Sequence, residues 1–358
     1  MKLRTTARTF VAFAVTLLVI KNAVAQDDPG RTSEIERLKF LGKPVLVKDL
    51  NAEPIPDVDN AAWWLSQAAA GQKTLVTASE GELDLTQNLN EELIKKFDSL
   101  AMEATYRQIT RAISAPTYVP LIKLTPSNFE SFNDEDRTKM RLFARVLYYR
   151  GAVEIAKGRP QEAANTALQI IKLSRQPNHY FGLVGFLVRK ALQNMGTSLL
   201  LKALETEAIN DTAFLKTLQT ELSALDNLDD LVETIDSERV YGLHALNTQG
   251  GFTKIWNTEP YLKTMRLAQQ ELALPIAEHR ELFDGKRTGR TLTDQLLPAL
   301  KMARQAAHRE LTAVRQLRIR IAFLQQPKAV TVESLDLPAP TKTDPTTGLI
   351  MGVKSTDK

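Results

Sequence analysis

The sequence predicts an all-α protein of antiparallel helical pairs, with long C-terminal helices and a small extended or β tail. Three observations carry this. Apolar residues recur at spacings of three and four through most of the chain, as amphipathic helices require. Alanine and leucine are abundant and aromatic residues few, which suits helices packed on helices. Third, residues 141–175, RLFARVLYYRGAVEIAKGRPQEAANTALQIIKLSR, read as two helices joined by a tight turn, the unit around which the chain is organised. Leu142, Val146, Tyr149, Val153 and Ala156 share one helical face. Gly158 ends that helix, because a left-handed C-terminal position costs glycine nothing. Pro160 opens the next, where a missing N–H is harmless. Ala163, Ala167, Ile170 and Ile171 form its apolar stripe, with alanines small enough for close approach.

Residues 1–25 read as a cleaved signal peptide. Lys2, Arg4 and Arg8 precede a 12-residue apolar run, 9–20, and Ala23-Val24-Ala25 is a small-x-small cleavage site. A spanning helix needs about 20 apolar residues, so no transmembrane span is expected after cleavage. Export would place the mature chain in the periplasm or cell envelope. Residues 26–56 are polar, carry Pro29, Pro44, Pro54 and Pro56, and read as an extended lead-in.

A helical domain, 57–326, follows. Its first helix starts at Asp57 or Asp59 and carries Ala61, Ala62, Trp63, Trp64 and Leu65. A loop over 71–85 precedes a long helix over 86–114, with Leu89, Leu93, Phe97, Leu100, Ala104 and Ile109 inward. Pro116, Pro120 and Pro126 break the next stretch, and another helix begins near Asn133 or Asp134 and runs into the central pair. A turn at 176–178 leads to a helix over 179–206, in which Gly182, Gly185 and Gly196 permit close contact. Asp211 starts a partner helix over 212–225. Helices over 226–246 and 259–283 come next, separated by a loop at 247–257, the second kinked at Pro275. A basic turn at 285–289 leads into the last helix, 291–325. From 327 to 358 the composition shifts to Pro, Thr, Lys and Asp, a tail with candidate strands at 329–332 and 349–353.

Cleavage would remove four Lys/Arg residues and no acid, leaving 42 basic against 42 acidic residues. The basic balance then belongs to the leader, and a general nucleic-acid role loses its support. The chain has no cysteine, so disulfides, a thiol nucleophile and thiolate metal sites are all excluded. His179, His244, His279 and His308 include no pair four apart, as a helix-borne zinc site needs. The residues three before them are Gln176, Tyr241, Ile276 and Gln305, so the Glu-x-x-His of di-iron bundles is missing too. No Gly-x-Ser-x-Gly elbow, Walker loop or Gly-x-Gly-x-x-Gly occurs. No catalytic residue, metal ligand or cofactor is assigned.

Three features are candidates for binding. Trp63 and Trp64 are either an aromatic platform or a core plug with a half-exposed neighbour. Lys301, Arg304, His308, Arg315 and Arg318 share one face of the last helix. That strip is a solvated face, an anionic-partner strip, or the mate of the acid-rich stretch 205–238, which holds ten acids and only Lys216 as a base. On the central pair, Tyr148 and Arg150 are the expected exposed protein-docking contacts, because Leu147 and Gly151 should pack inward.

The central pair resembles a tetratricopeptide unit. Gly151 and Ala163 stand 12 apart, as that motif's small positions do, and Gly158-Arg159-Pro160-Gln161-Glu162-Ala163 looks like its turn. Glu154, Ala167 and Ile170 depart from the usual aromatic, large and alanine positions, and the terminal proline comes late, at Pro177. The resemblance implies a TPR-like or α-solenoid-like arrangement with a protein-docking surface. The layout as a whole resembles the uncharacterised exported helical proteins of planctomycete-type bacteria. Residues 55–62 (IPDVDNAA), Ser237-Glu238-Arg239 and residues 343–348 (TDPTTG) carry that likeness. In that family an Asp-Pro-x-x-Gly turn leads to a short strand reminiscent of pseudopilin tails. Here the strand lacks the usual aromatic, the pilin-type N-terminal signature is absent, and no activity carries over.

The resulting expectation is an exported, non-catalytic binding or scaffold protein that docks another envelope protein. Two rivals stand beside it. One is a cofactor-free hydrolase or lyase acting on cell-wall or polysaccharide material, with Trp63, Trp64 and nearby acids lining a groove. The other is a peripheral protein that binds anionic lipid or glycan through helix 292–325.

Overall fold

The computed structural model describes residues 29–70, 91–97, 99–176, 182–227, 229–249, 252–272, 291–329, 331–345, 347 and 349–352. The chain is mostly helical, and no strand occurs among the described residues. In order the helices are α1 (Pro29–Phe40), α2 (Ala61–Ala70), α3 (Glu91–Phe97), α4 (Leu100–Ser114), α5 (Phe129–Ala156) and α6 (Pro160–Arg175). They continue with α7 (Gly182–Glu205), α8 (Thr212–Ser223), α9 (Asp229–Gln249), α10 (Phe252–Leu272) and α11 (Thr291–Gln325). None of them is long and apolar enough to cross a membrane. The leader 1–25, the loop 71–85, the start of the 86–114 helix, His179, Pro275, His279 and the turn 285–289 lie outside the described residues.

Local chemistry sets most boundaries. The Ser99 hydroxyl accepts the Met102 N–H at the start of α4, and Asp211 accepts from Ala213 and Phe214 at the start of α8. Gly158 takes φ +71° between α5 and α6, and Pro160 is the first residue of α6. Three expectations need correction. The single helix over 86–114 is two, α3 and α4, because Ser99 starts a new one. The lead-in 26–56 is not all extended: α1 forms over 29–40, and the burial of Leu38 in a core of other helices holds it, not its own apolar pattern. Most of the loop expected at 247–257 is helix, since α9 runs to Gln249 and α10 starts at Phe252, and α10 carries Pro260 within it.

Among the described residues, buried side chains pack into three clusters. The first gathers α2, α4, α5, α6, α7 and α8, with Val314, Leu317 and Ile321 of α11. The second joins Leu38 of α1 and Val45 to the start of α7, to α9 and α10, and to residues 296–311 of α11. In the third, Ile319 and Ala322 of α11 meet Val332, Leu335 and Met351 of the tail. Helices α7 and α11 therefore run through both large clusters. Small residues bring α5, α6 and α7 together. A Cβ on Gly151 would stand 2.4 Å from Leu199 Cδ2, and one on Gly196 would stand 2.7 Å from Ile171 Cγ1.

The Ser237-Glu238-Arg239 piece joins helices. Glu238 accepts the Leu183 N–H at 2.8 Å, at the opening of α7. Arg239, buried, meets Asp236 at 3.0 Å and donates to Gln269 of α10 at 3.1 Å. The tail is turns and a 3₁₀ helix, Ala339–Lys342, with one isolated antiparallel bridge, Thr343↔Ile350. Asp344 closes the turn of the 343–348 piece: its carboxylate accepts the Thr347 N–H, and its own N–H donates to Leu349.

Candidate functional site

Residues 115–128, between α4 and α5, form an irregular loop held at both ends by asparagines. Asn60, buried at the head of α2, receives the Val119 N–H on Oδ1 at 3.0 Å and donates Nδ2 to the Val119 carbonyl at 2.9 Å. The same Oδ1 accepts the Ala62 N–H, and the Ala61 N–H donates to Thr117 at 2.8 Å. At the far end Asn51 repeats the arrangement on Leu124, accepting at 2.8 Å and donating at 3.0 Å. Asn128 closes the exit by accepting from Thr125 and donating to Lys123. Pro116, Pro120 and Pro126 limit the backbone further. Between the two anchors Leu121 and Ile122 remain 50% and 48% exposed.

Those two side chains form one lip of a groove of about 190 Å³ between α2, the loop and the first turns of α5. Leu65 and Met140 contribute apolar wall, and Tyr118 and Asp136 contribute polar wall. Asp136 is only 8% exposed, and its Oδ2 accepts the Tyr118 hydroxyl. Burial pushes its carboxyl above the usual range, while the Tyr118 hydrogen bond and the Lys139 charge pull it back in part. Lys139 lies on the rim, 2.7 Å from Glu135 Oε1 and 3.7 Å from Asp136 Oδ1. Glu135 and Asp136 are consecutive on α5, about 100° apart around the helix, so they do not face one another across a bond.

The expected sites fall elsewhere. Trp63 and Trp64 are both half-buried and meet edge to face at 4.5 Å. The Trp64 indole N–H donates to Val58, and Arg111 covers its ring at 4.7 Å, so that face is already occupied. Neither Trp lines the groove, although both neighbour its α2 residues. Tyr148 requires correction: it is 5% exposed and receives the Lys202 ammonium on its hydroxyl at 3.1 Å. Arg150 is half-buried and lies over the Tyr106 ring at 4.3 Å. The reason is that α5 packs on α3 and α7 as well as α6, with Arg150 reaching Tyr106 of α4, which covers the face that a lone helix pair would leave open. Leu147 and Gly151 do pack inward.

On α11, Arg315 and Arg318 are each 7% exposed and converge on Asp226, from the acid-rich stretch. Thr341 donates to the same carboxylate at 2.7 Å, and Arg315 Nη1 donates to the Thr343 carbonyl at 2.9 Å. Lys301, Arg304 and His308 are half-buried and each is engaged within the chain. The five residues thus do not form one open strip.

A second group of buried charges lies where α7, α9 and α11 meet. Lys190 Nζ stands 2.8 Å from Asp230, Arg189 donates to the Asp230 carbonyl at 3.3 Å, and Glu310 is 5% exposed beside them. Among the described residues no cluster of three or more His, Cys, Asp or Glu side chains is placed to hold a metal ion. Sequence reading missed Tyr118, Asp136, Lys190 and Glu310; the only early signal was the run of three prolines around the groove loop. The chain matches no protein-family model, and no curated protein or solved structure shows significant similarity to it.

Proposed function

We propose that the protein is an exported helical binding protein of the cell envelope that docks a segment of a partner protein into the groove between α2 and α5. The observation that carries this reading is the loop 115–128. Asn51, Asn60 and Asn128 fix its backbone, and the fixed loop presents two large apolar side chains to solvent beside a cavity. Ordering the site before the partner arrives lowers the entropy cost of docking. The leader-like residues 1–25 support export. The Gly158–Pro160 turn supports reading α5 and α6 as a TPR-like pair; with its faces covered by neighbours, its part is to hold the groove. The hydrolase reading has less support, because among the described residues the groove offers one buried carboxylate and no acid facing it for acid/base work.

A photo-crosslinking side chain at Ile122 tests the docking reading, with one at Leu201 of α7 as the control. The expected result in envelope extract is a discrete protein adduct at Ile122 only, lost when Leu121 is changed to Glu. Equal labelling at both positions, or an adduct indifferent to Leu121→Glu, overturns it.

A further inference from the structure

We infer that the groove receives one lysine side chain of the docked segment, its ammonium on Asp136 and its methylenes on Leu65, Leu121, Ile122 and Met140. This deepens the docking reading and rests on it.

Size, charge and geometry lead here. At about 190 Å³ the cavity is smaller than the roughly 300–1,000 Å³ pockets that enclose drug-sized ligands, so it suits a single side chain. Its charged groups are Glu135, Asp136 and Lys139. Lys139 lies 2.7 Å from Glu135 and 3.7 Å from Asp136, so one cation serves two carboxylates and the groove keeps one negative charge in excess, with Asp136 the more buried of the two. A neutral hydroxyl is a partial counterweight to a buried carboxylate, and a cation is a full one. Burial works against the charged form of Asp136 and the shared Lys139 offsets it only in part, so a second cation adds stabilisation there.

The ammonium is favoured over a guanidinium because Tyr118 already occupies Oδ2. That leaves Oδ1, which a newcomer shares with Lys139 Nζ at 3.7 Å, and the two-pronged pairing that distinguishes arginine needs both oxygens. The apolar walls match the four-carbon stem of lysine, which lies along apolar surface while its head reaches a charge. A phosphate or carboxylate meets Asp136 as a like charge.

The test uses the full chain and three nine-residue peptides, alike except for a central lysine, acetyl-lysine or glutamate between leucines. Binding is read from the Met140 methyl resonance. The lysine peptide is expected to bind, with the other two weaker by about tenfold or more, the value of a hydrogen bond to a charged group. Asp136→Asn keeps an acceptor for Tyr118 and is expected to erase the difference between lysine and acetyl-lysine. Lys139→Met removes the competing ammonium and is expected to tighten lysine binding about threefold. It also keeps the test decisive if Asp136→Asn does not fold. Equal binding of lysine and acetyl-lysine peptides, no peptide binding at millimolar concentration, or weaker binding by Lys139→Met overturns the inference. A crosslinked partner at Ile122 whose capture survives lysine acetylation sinks this inference and leaves docking intact. Lysine-peptide binding without a crosslinked partner sinks docking instead.

Discussion

At the scale of single residues, Glu310 carries the clearest pH signature. It lies on α11 beside Lys190 of α7 and Asp230 of α9, and Arg189 of α7 faces the same Asp230 at 3.8 Å. Burial is the main cause that pushes its carboxyl up to about 7; Asp230 adds to it, and Lys190 and the Thr197 hydroxyl oppose it. The folded chain therefore holds a proton between about pH 4.5 and 7 that the unfolded chain has released. Stability from this group is full below the unfolded value, falls as pH rises through that window, and is level above it. Glu310→Gln mimics the protonated form. It should flatten the melting temperature between pH 5 and 7, read by circular dichroism, and leave the variant more stable than the parent at pH 8. The difference should be of order 3 kcal/mol. A variant whose pH profile parallels the parent's would show that Glu310 titrates normally.

At the scale of elements, α11 is placed by its cations. Asp226 accepts from Arg315 Nε at 2.7 Å and from Arg318 Nη1, and all three side chains are buried. Removing the shared anion leaves two desolvated guanidiniums without their counter-charge. Asp226→Ala should cost about 3–5 kcal/mol in denaturant unfolding, with little change between low and high salt, because buried pairs are poorly screened. A loss under about 1 kcal/mol that disappears in salt would reassign the pair to the surface class. Part of this element was legible beforehand. Pairing of the α11 cations with the ten acids of 205–238 was one of three readings open in the sequence, while the choice of Asp226 did not show, since it lies in the turn after α8 rather than on a helical face. The α5–α6 turn was legible because Gly158 and Pro160 act locally. The groove was not. It depends on hydrogen bonds from Asn51 and Asn60 to backbone 73 and 59 residues away, respectively, and no local pattern encodes those. Tyr148 misled because its burial depends on α7, a helix outside the pair that the pattern described.

At the scale of the whole molecule, the two large clusters share helices rather than meeting at a surface. Helix α7 gives Leu183 and Phe186 to the second cluster and Leu192, Leu199 and Leu200 to the first. Helix α11 gives Leu300, Ala303 and Ala307 to the second, and Val314, Leu317 and Ile321 to the first. Neither cluster can unfold without taking turns of both helices from the other, so the apolar surface exposed by one melts the other. The described helices are then expected to unfold as one cooperative unit, with the groove loop, anchored on α2, inside it. Leu199→Ala probes the first cluster and Leu243→Ala the second; each deletes a buried side chain and should cost about 2–5 kcal/mol. Both should lower the same single transition, seen alike by far-ultraviolet circular dichroism and by tryptophan fluorescence. Trp63 and Trp64 stand on α2, far in sequence from Leu243, and report the first cluster once Trp256 of α10 is replaced by Phe in every variant compared. A Leu243→Ala variant that loses ellipticity early while the fluorescence midpoint stays with the parent would divide the protein into two folding units. The groove would then belong to one that stands without α10.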